Sequence, residues 1–169
     1  GEDRLVPHRH PVRALHHESR PLRRGGGEQP VWFHCSSLGE FEQGKPLIQE
    51  IKKQFPDKKI LLTFFSPSGY EYKKNDAVAD YVFYLPMDGP VNAKKFIELS
   101  NPSAAFFVKY EFWYYYLKKI KYRNIPLLLV SAIFRKDMDF FKWYGVMMRK
   151  MLSRFDHLFV QTLESKQLL

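Results

Sequence analysis

After Val31 the chain alternates short apolar runs with stretches of helical periodicity, and no other feature restricts its fold as much. The runs Val31–Cys35, Ile60–Phe65, Tyr81–Tyr84, Ala104–Val108, Leu127–Val130 and His157–Val160 are too short for helices and rich in β-branched and aromatic residues, so they read as strands. Helices are expected between them, over Glu40–Gln54, Ser68–Asn75, Val91–Leu99, Phe112–Arg123 and Asp139–Ser153, with another beginning at Thr162. Strands joined by helical crossovers pair in parallel, and a parallel sheet needs its helices on its faces. The expected fold is therefore α/β, a Rossmann-like parallel sheet of about six strands with helices on both faces.

Two helical segments carry unusual apolar content. From Asp139 on, Phe140, Phe141, Tyr144, Met147, Met148, Met151 and Leu152 share one face, which predicts a core-facing stripe; docking to a membrane or partner is the alternative, with Lys142, Arg149, Lys150 and Arg154 on the other side. The run Phe112–Tyr116 is too continuous for one buried face, so part of it is expected at the surface.

The first thirty residues differ from the rest. Arg4, Arg9, Arg13, Arg20, Arg23 and Arg24 are the only basic residues there besides histidine, and they sit among prolines and the run Gly25–Gly27, whereas lysine dominates later. Such a segment buries too little apolar surface to offset its chain entropy, so residues 1–30 are expected to be a disordered or non-native basic segment and 31–169 one domain. The net charge of +9 favours polyanionic partners: nucleic acid, anionic lipid or phosphorylated substrates. The single cysteine, Cys35, suits a reducing, cytoplasmic compartment. No apolar run approaches the roughly 18 to 20 residues of a membrane-spanning helix.

The distinctive polar residues cluster where strands should end. Ser36–Glu40, Ser66–Tyr70, Leu85–Asp88, Lys109–Glu111 and Ser131–Arg135 each follow an expected strand, which places all five at the carboxyl edge of the sheet, where helix N-termini and loop amides meet ligands. Glu40 stands after Gly39, a residue that would permit close approach or a positive φ. Its carboxylate can serve as a general base if burial raises its pKa, or be an ordinary acidic residue of a first helical turn. Ser66, Ser68 and Gly69 offer hydroxyls and amides to a phosphate or sugar oxygen, or simply an N-cap. Lys109 and Glu111 end a buried strand and so require partners. The glycine signatures of dinucleotide and P-loop sites, the nucleophile elbow of serine hydrolases and a metal-ligand set do not occur in the sequence, and no cofactor is expected; His34 and His157 read as structural.

Taken together, W-F-H-C-S-S-L-G-E-F-E (32–42), T-F-F-S-P-S-G-Y-E (63–71), Y-L-P-M-D (84–88), V-K-Y-E-F-W (108–113) and V-S-A-I-F-R (130–135) resemble the N-terminal domain of 3-deoxy-D-manno-octulosonic acid (Kdo) transferases. The resemblance implies the N-terminal, acceptor-facing half of a GT-B glycosyltransferase that moves Kdo from CMP-Kdo to a lipid A precursor in lipopolysaccharide assembly, peripherally at the cytoplasmic face of the inner membrane. It implies an anionic membrane surface as partner and no nucleic acid. Glu40 matches the family's catalytic base and Glu111 its second acidic position; Ser37, Gly39, Ser66, Ser68, Gly69, Lys109 and Arg135 are the candidate substrate contacts. Residues 1–30 lack the hydrophobic membrane-attaching segment usual in the family, and a C-terminal donor domain is expected to be missing, which would leave these 169 residues inactive alone. The alternatives are a non-catalytic binder of anionic glycolipid or nucleic acid, and another GT-B enzyme such as a lipid A disaccharide synthase or a nucleotide-sugar epimerase.

Overall fold

The structure is a computed structural model that describes residues 29–73 and 77–169, the Ser68 side chain aside. The expected basic segment lies outside the described residues as far as residue 28, as does the expected helix end at Asn75. Six strands, β1 (Val31–Cys35), β2 (Ile60–Phe64), β3 (Tyr81–Tyr84), β4 (Ala104–Val108), β5 (Leu127–Ala132) and β6 (His157–Val160), form one sheet in the order β3-β2-β1-β4-β5-β6. All pairings are parallel. The architecture is Rossmann-like, and the direction of strand addition reverses between β1 and β4.

The central strands β1 and β2 are buried at every position, which is why their sequences run apolar without alternation. Successive side chains point to opposite faces, so each strand feeds two cores. Trp32, Leu61, Phe107 and Leu129 meet α3 (Pro90–Ser100), α4 (Tyr114–Tyr122) and α5 (Val146–Leu152) through Phe96, Ile97, Tyr116, Leu117 and Met151. Phe33, Cys35, Leu62, Phe64 and Val108 meet α1 (Leu38–Gln54) and α2 (Pro67–Lys73) through Phe41, Ile48 and Tyr70. A short α6 (Leu163–Gln167) follows β6, capped by the Thr162 hydroxyl. Close packing on the second face depends on two glycines. A Cβ at Gly44 would lie 3.1 Å from Val108, and one at Gly69 only 2.4 Å from the Phe64 ring.

One expected element is corrected. Asp139–Ser153 is not a continuous helix: a 3-10 turn spans Asp139–Phe141, and α5 begins only at Val146. At Gly145 the chain folds so tightly onto the preceding turn that a Cβ would stand 1.9 Å from the Asp139 carbonyl oxygen. Arg149 donates to the carbonyls of Phe140 and Lys142, partnering groups that the break takes out of a helical ladder. The predicted stripe splits accordingly. Phe140 and Met151 are buried, while Tyr144 and Met147 are each 55% exposed. The aromatic run Phe112–Tyr116, which leads into α4, is mostly covered, with Tyr116 fully buried and Tyr115 at the surface. α4 starts at Tyr114 rather than Phe112 because the Asp88 carboxylate accepts the Tyr115 and Tyr116 amides and so caps the helix from another loop. Among the described residues no helix is long and apolar enough to cross a membrane.

Candidate functional site

Where strand order reverses, the loops leaving neighbouring strands diverge to opposite faces and open a crevice at the carboxyl edge. Here that crevice lies between the ends of β1 and β4, and the loops flanking it are Ser36–Glu40 and Lys109–Glu111.

Glu40 is fixed by the way α1 begins. Ser37 is the N-cap, its hydroxyl accepting the Glu40 amide at 3.4 Å, while Glu40 Oε2 accepts the Ser36 amide at 2.5 Å and the carboxylate also takes the Ser37 amide. This is a reciprocal capping box, so the helix-start role anticipated for Glu40 is real. The same carboxyl is half-buried. Burial, and then the negative charge of Glu111, push it up to about 7 against the opposing pull of the Ser36 and Ser37 amides and of Lys109. A carboxylate poised there can accept a proton at neutral pH.

Glu111 is held in the opposite condition. At the end of β4, Lys109 adopts a left-handed conformation, φ 65°, with its amide on the Val130 carbonyl at 2.8 Å. For a residue with a Cβ that conformation costs roughly 1–2 kcal/mol, and it redirects the chain so that Tyr110 is exposed and Glu111 buried. Glu111 Oε2 accepts from His34 Nε2 at 3.2 Å and from the Trp113 indole at 2.5 Å, and the carboxylate also takes the Ser36 hydroxyl. Burial alone would raise its pKa. The hydrogen bond and charge of His34, followed by Ser36 and Trp113, outweigh that and hold it below the usual carboxylate value. Ser36 thus joins the two acids, amide to Glu40 and hydroxyl to Glu111. Beneath them the thiol of buried Cys35 is pushed up by burial and by both negative charges.

The candidate contacts fare unequally. Ser37 and Lys109 join Glu40 and Glu111 in one cluster. Gly39 is exposed and helical, without the left-handed φ that its place in the turn suggested; a Cβ there would meet nothing nearer than Ser37 Oγ at 4.0 Å, so it leaves open space beside Glu40. Ser66 ties its loop to the first through its amide on the Ser36 carbonyl at 2.8 Å. Ser68 is the second residue of α2. Gly69 is buried against Phe64, a packing position. Arg135 is exposed and pairs with Asp137 at 3.5 Å. In the third loop the carboxylate of Asp88 serves as the cap of α4.

Sequence reasoning missed His34, Thr63, Trp113 and the capping role of Asp88. His34 is buried inside β1, opposite Thr63 of β2, and touches Glu111 directly. The available signal was a polar residue at the same depth in two otherwise apolar runs, W-F-H-C and L-L-T-F.

A family model described as 3-deoxy-D-manno-octulosonic-acid transferase (kdotransferase) matches residues 9–169. Its match therefore takes in most of the arginine-rich segment. The Kdo transferase of Aquifex aeolicus is 35% identical over 136 residues, covering 79% of this chain and 34% of that protein. The Haemophilus influenzae enzyme is 31% identical over 107 residues, covering 62% of this chain and 25% of that one. The chain thus spans a quarter to a third of the length of these relatives. A solved structure from Listeria monocytogenes, assigned as a UDP-N-acetylglucosamine 2-epimerase, superposes with a TM-score of 0.60 at 14% identity, over 83% of this chain and 41% of that one. At that identity the likeness is one of fold.

Proposed function

The chain belongs to the 3-deoxy-D-manno-octulosonic-acid transferase family, and from that premise we propose that it forms the acceptor side of a GT-B enzyme that transfers Kdo from CMP-Kdo to a lipid A precursor. The observation that carries this reading is Glu40, a half-buried carboxyl at the switch-point crevice with a pKa raised to about 7. In the reaction, Glu40 takes the proton of an acceptor hydroxyl as that oxygen bonds to the anomeric carbon of Kdo. The bond from that carbon to the CMP phosphate breaks, and CMP leaves with the electron pair. Glu111, ionised and buried behind Glu40, keeps Glu40 basic. Because relatives extend well beyond these 169 residues, donor contacts are assigned to the remainder of the enzyme, and the isolated chain is expected not to turn over.

An exposed surface supports an anionic membrane as a partner. Trp143, Tyr144, Val146 and Met147 are exposed on the broken α5 segment, beside Lys142, Arg149 and Lys150. An apolar ridge edged with cations suits peripheral binding to an anionic membrane, where lipid A precursors reside.

The capping box makes the decisive variant unusually clean, because glutamine serves at the same capping position as glutamate but takes up no proton. In the complete enzyme Glu40→Gln is expected to lower turnover by roughly 10²–10⁴-fold while the protein remains folded with its capping box intact. Near-normal turnover would leave Glu40 only its helix-capping role.

A further inference from the structure

The two carboxyls at the crevice are joined through Ser36, yet they are not equivalent, and the asymmetry originates one layer deeper. His34 Nδ1 lies 2.9 Å from Thr63 Oγ1, and His34 Nε2 lies 3.2 Å from Glu111 Oε2. Strand register puts His34 and Thr63 opposite each other, and the Trp32 indole donates to the same Thr63 oxygen at 2.9 Å. Trp113 stands edge-on over the His34 ring, 5.3 Å between centroids at 87°, and Phe107 closes its β4 side at 5.3 Å. The imidazole has no room to turn.

Thr63 makes this arrangement tolerant of either protonation state of His34. When Nδ1 is bare, the Thr63 hydroxyl donates to it. When Nδ1 carries a proton, it donates to Thr63, whose own hydrogen turns to the Phe33 carbonyl at 3.4 Å. In both cases Nε2 keeps its hydrogen for Glu111, because an ionised carboxylate can only accept. Among the described residues no buried side-chain polar atom is left without a partner.

We propose that His34, locked by Thr63, is the positioning residue that assigns the proton shared by Glu40 and Glu111 to Glu40. Two nearby carboxyls cannot both ionise freely, so the one with the better donors stays charged and the other holds the proton. His34 and Trp113 provide those donors to Glu111, which leaves Glu40 as the group that gains and releases a proton near neutrality. The other ionisable groups in electrostatic contact with Glu40 are Lys109, whose charge lowers its pKa, and Cys35, whose thiol Glu40 pushes up. The inference rests on Glu40 being the base, but its test needs no catalysis.

The test is carboxyl ¹³C NMR titration of Glu40 and Glu111 in the 169-residue chain. In wild type, Glu40 is expected to titrate near 7 and Glu111 below it. His34→Asn retains an amide at the Nδ1 position for Thr63 but cannot reach Glu111; its Glu40 midpoint should fall by about one unit or more while that of Glu111 rises. His34→Gln, which places an amide N–H near the Nε2 position, should restore the wild-type order. If His34→Asn does not fold, Trp113→Phe removes the other N–H donor to Glu111 and should move both midpoints the same way by less. A Glu40 midpoint that stays put in the folded variant would overturn the proposal. Should the midpoints move as expected while Glu40→Gln in the complete enzyme remains active, the proton assignment stands and the proposed function falls.

Discussion

The β1/β4 crevice and the α5 segment treat exceptional residues in opposite ways. At the crevice, side chains that resist burial are inside the protein: His34, Thr63 and Glu111 are buried, and each has a hydrogen-bonding partner. At α5, side chains that favour burial are outside, with Trp143 88% exposed and Tyr144 and Met147 more than half so. Neither is optimal for stability. A fully apolar network would cost less to bury, and a covered ridge would add to the core. The contrast teaches that these two regions depart from ordinary packing in opposite senses, one suited to holding charge in a fixed geometry and the other to meeting an apolar partner.

Breaking the crevice should cost the most stability. Thr63→Val keeps the shape of the side chain but orphans the Trp32 indole N–H and one imidazole nitrogen, and urea denaturation should show a loss of about 2–4 kcal/mol. A loss under about 0.5 kcal/mol would mean that the network is not satisfied internally. Gly145→Ala strikes the other region, since its Cβ would collide with the Asp139 carbonyl. It should cost about 2 kcal/mol on the same curves, and local amide exchange should quicken over Asp139–Leu152 first.

Much of this was legible beforehand, for identifiable reasons. All six strands were, because strands buried on both faces write themselves as apolar runs, and the carboxyl-edge placement of Glu40 and Glu111 followed from them. The order of the strands was not, since β1 carries no mark of pairing with β4 as well as β2; yet that pairing brings Glu111 to Glu40. The α5 break was invisible to periodicity because Phe140 and Met151 keep helical spacing across it, while Gly145 acts through a contact with Asp139. His34 was read as structural from its place inside a strand. It is inside a strand, but its outer nitrogen reaches a group delivered by the left-handed turn at Lys109, and no local pattern announces that turn.

Smaller effects sharpen the comparison. Replacing Trp143, Tyr144 and Met147 together by serine should cost only about 1 kcal/mol of stability, since all three are more than half exposed and the main loss is the Tyr144 hydrogen bond to Asp139, but should weaken cosedimentation with vesicles containing anionic lipid roughly tenfold or more. Unchanged vesicle binding would remove the membrane role from this ridge. The smallest effect is on the pH dependence of stability. A carboxyl raised in the folded state stabilises fully below its unfolded value of 4.5, and that contribution is lost as pH rises through about 7. Glu111, lowered, works in the reverse direction, its contribution present above its ordinary value of 4.5 and lost as pH falls. Wild type should therefore lose Glu40-linked stability between pH 5 and about 7, and Glu40→Gln should show a flatter profile there in thermal melts.

The central claim is that Glu40 works as a base whose proton affinity is set by Glu111 and, behind it, His34. It is tested most directly by the pH dependence of kcat/KM for Kdo transfer by the complete enzyme. The account predicts an acid limb with a midpoint near 7 that is absent from the residual activity of Glu40→Gln. A limb near the ordinary carboxylate value of 4.5, or one that persists unchanged in Glu40→Gln, would contradict it.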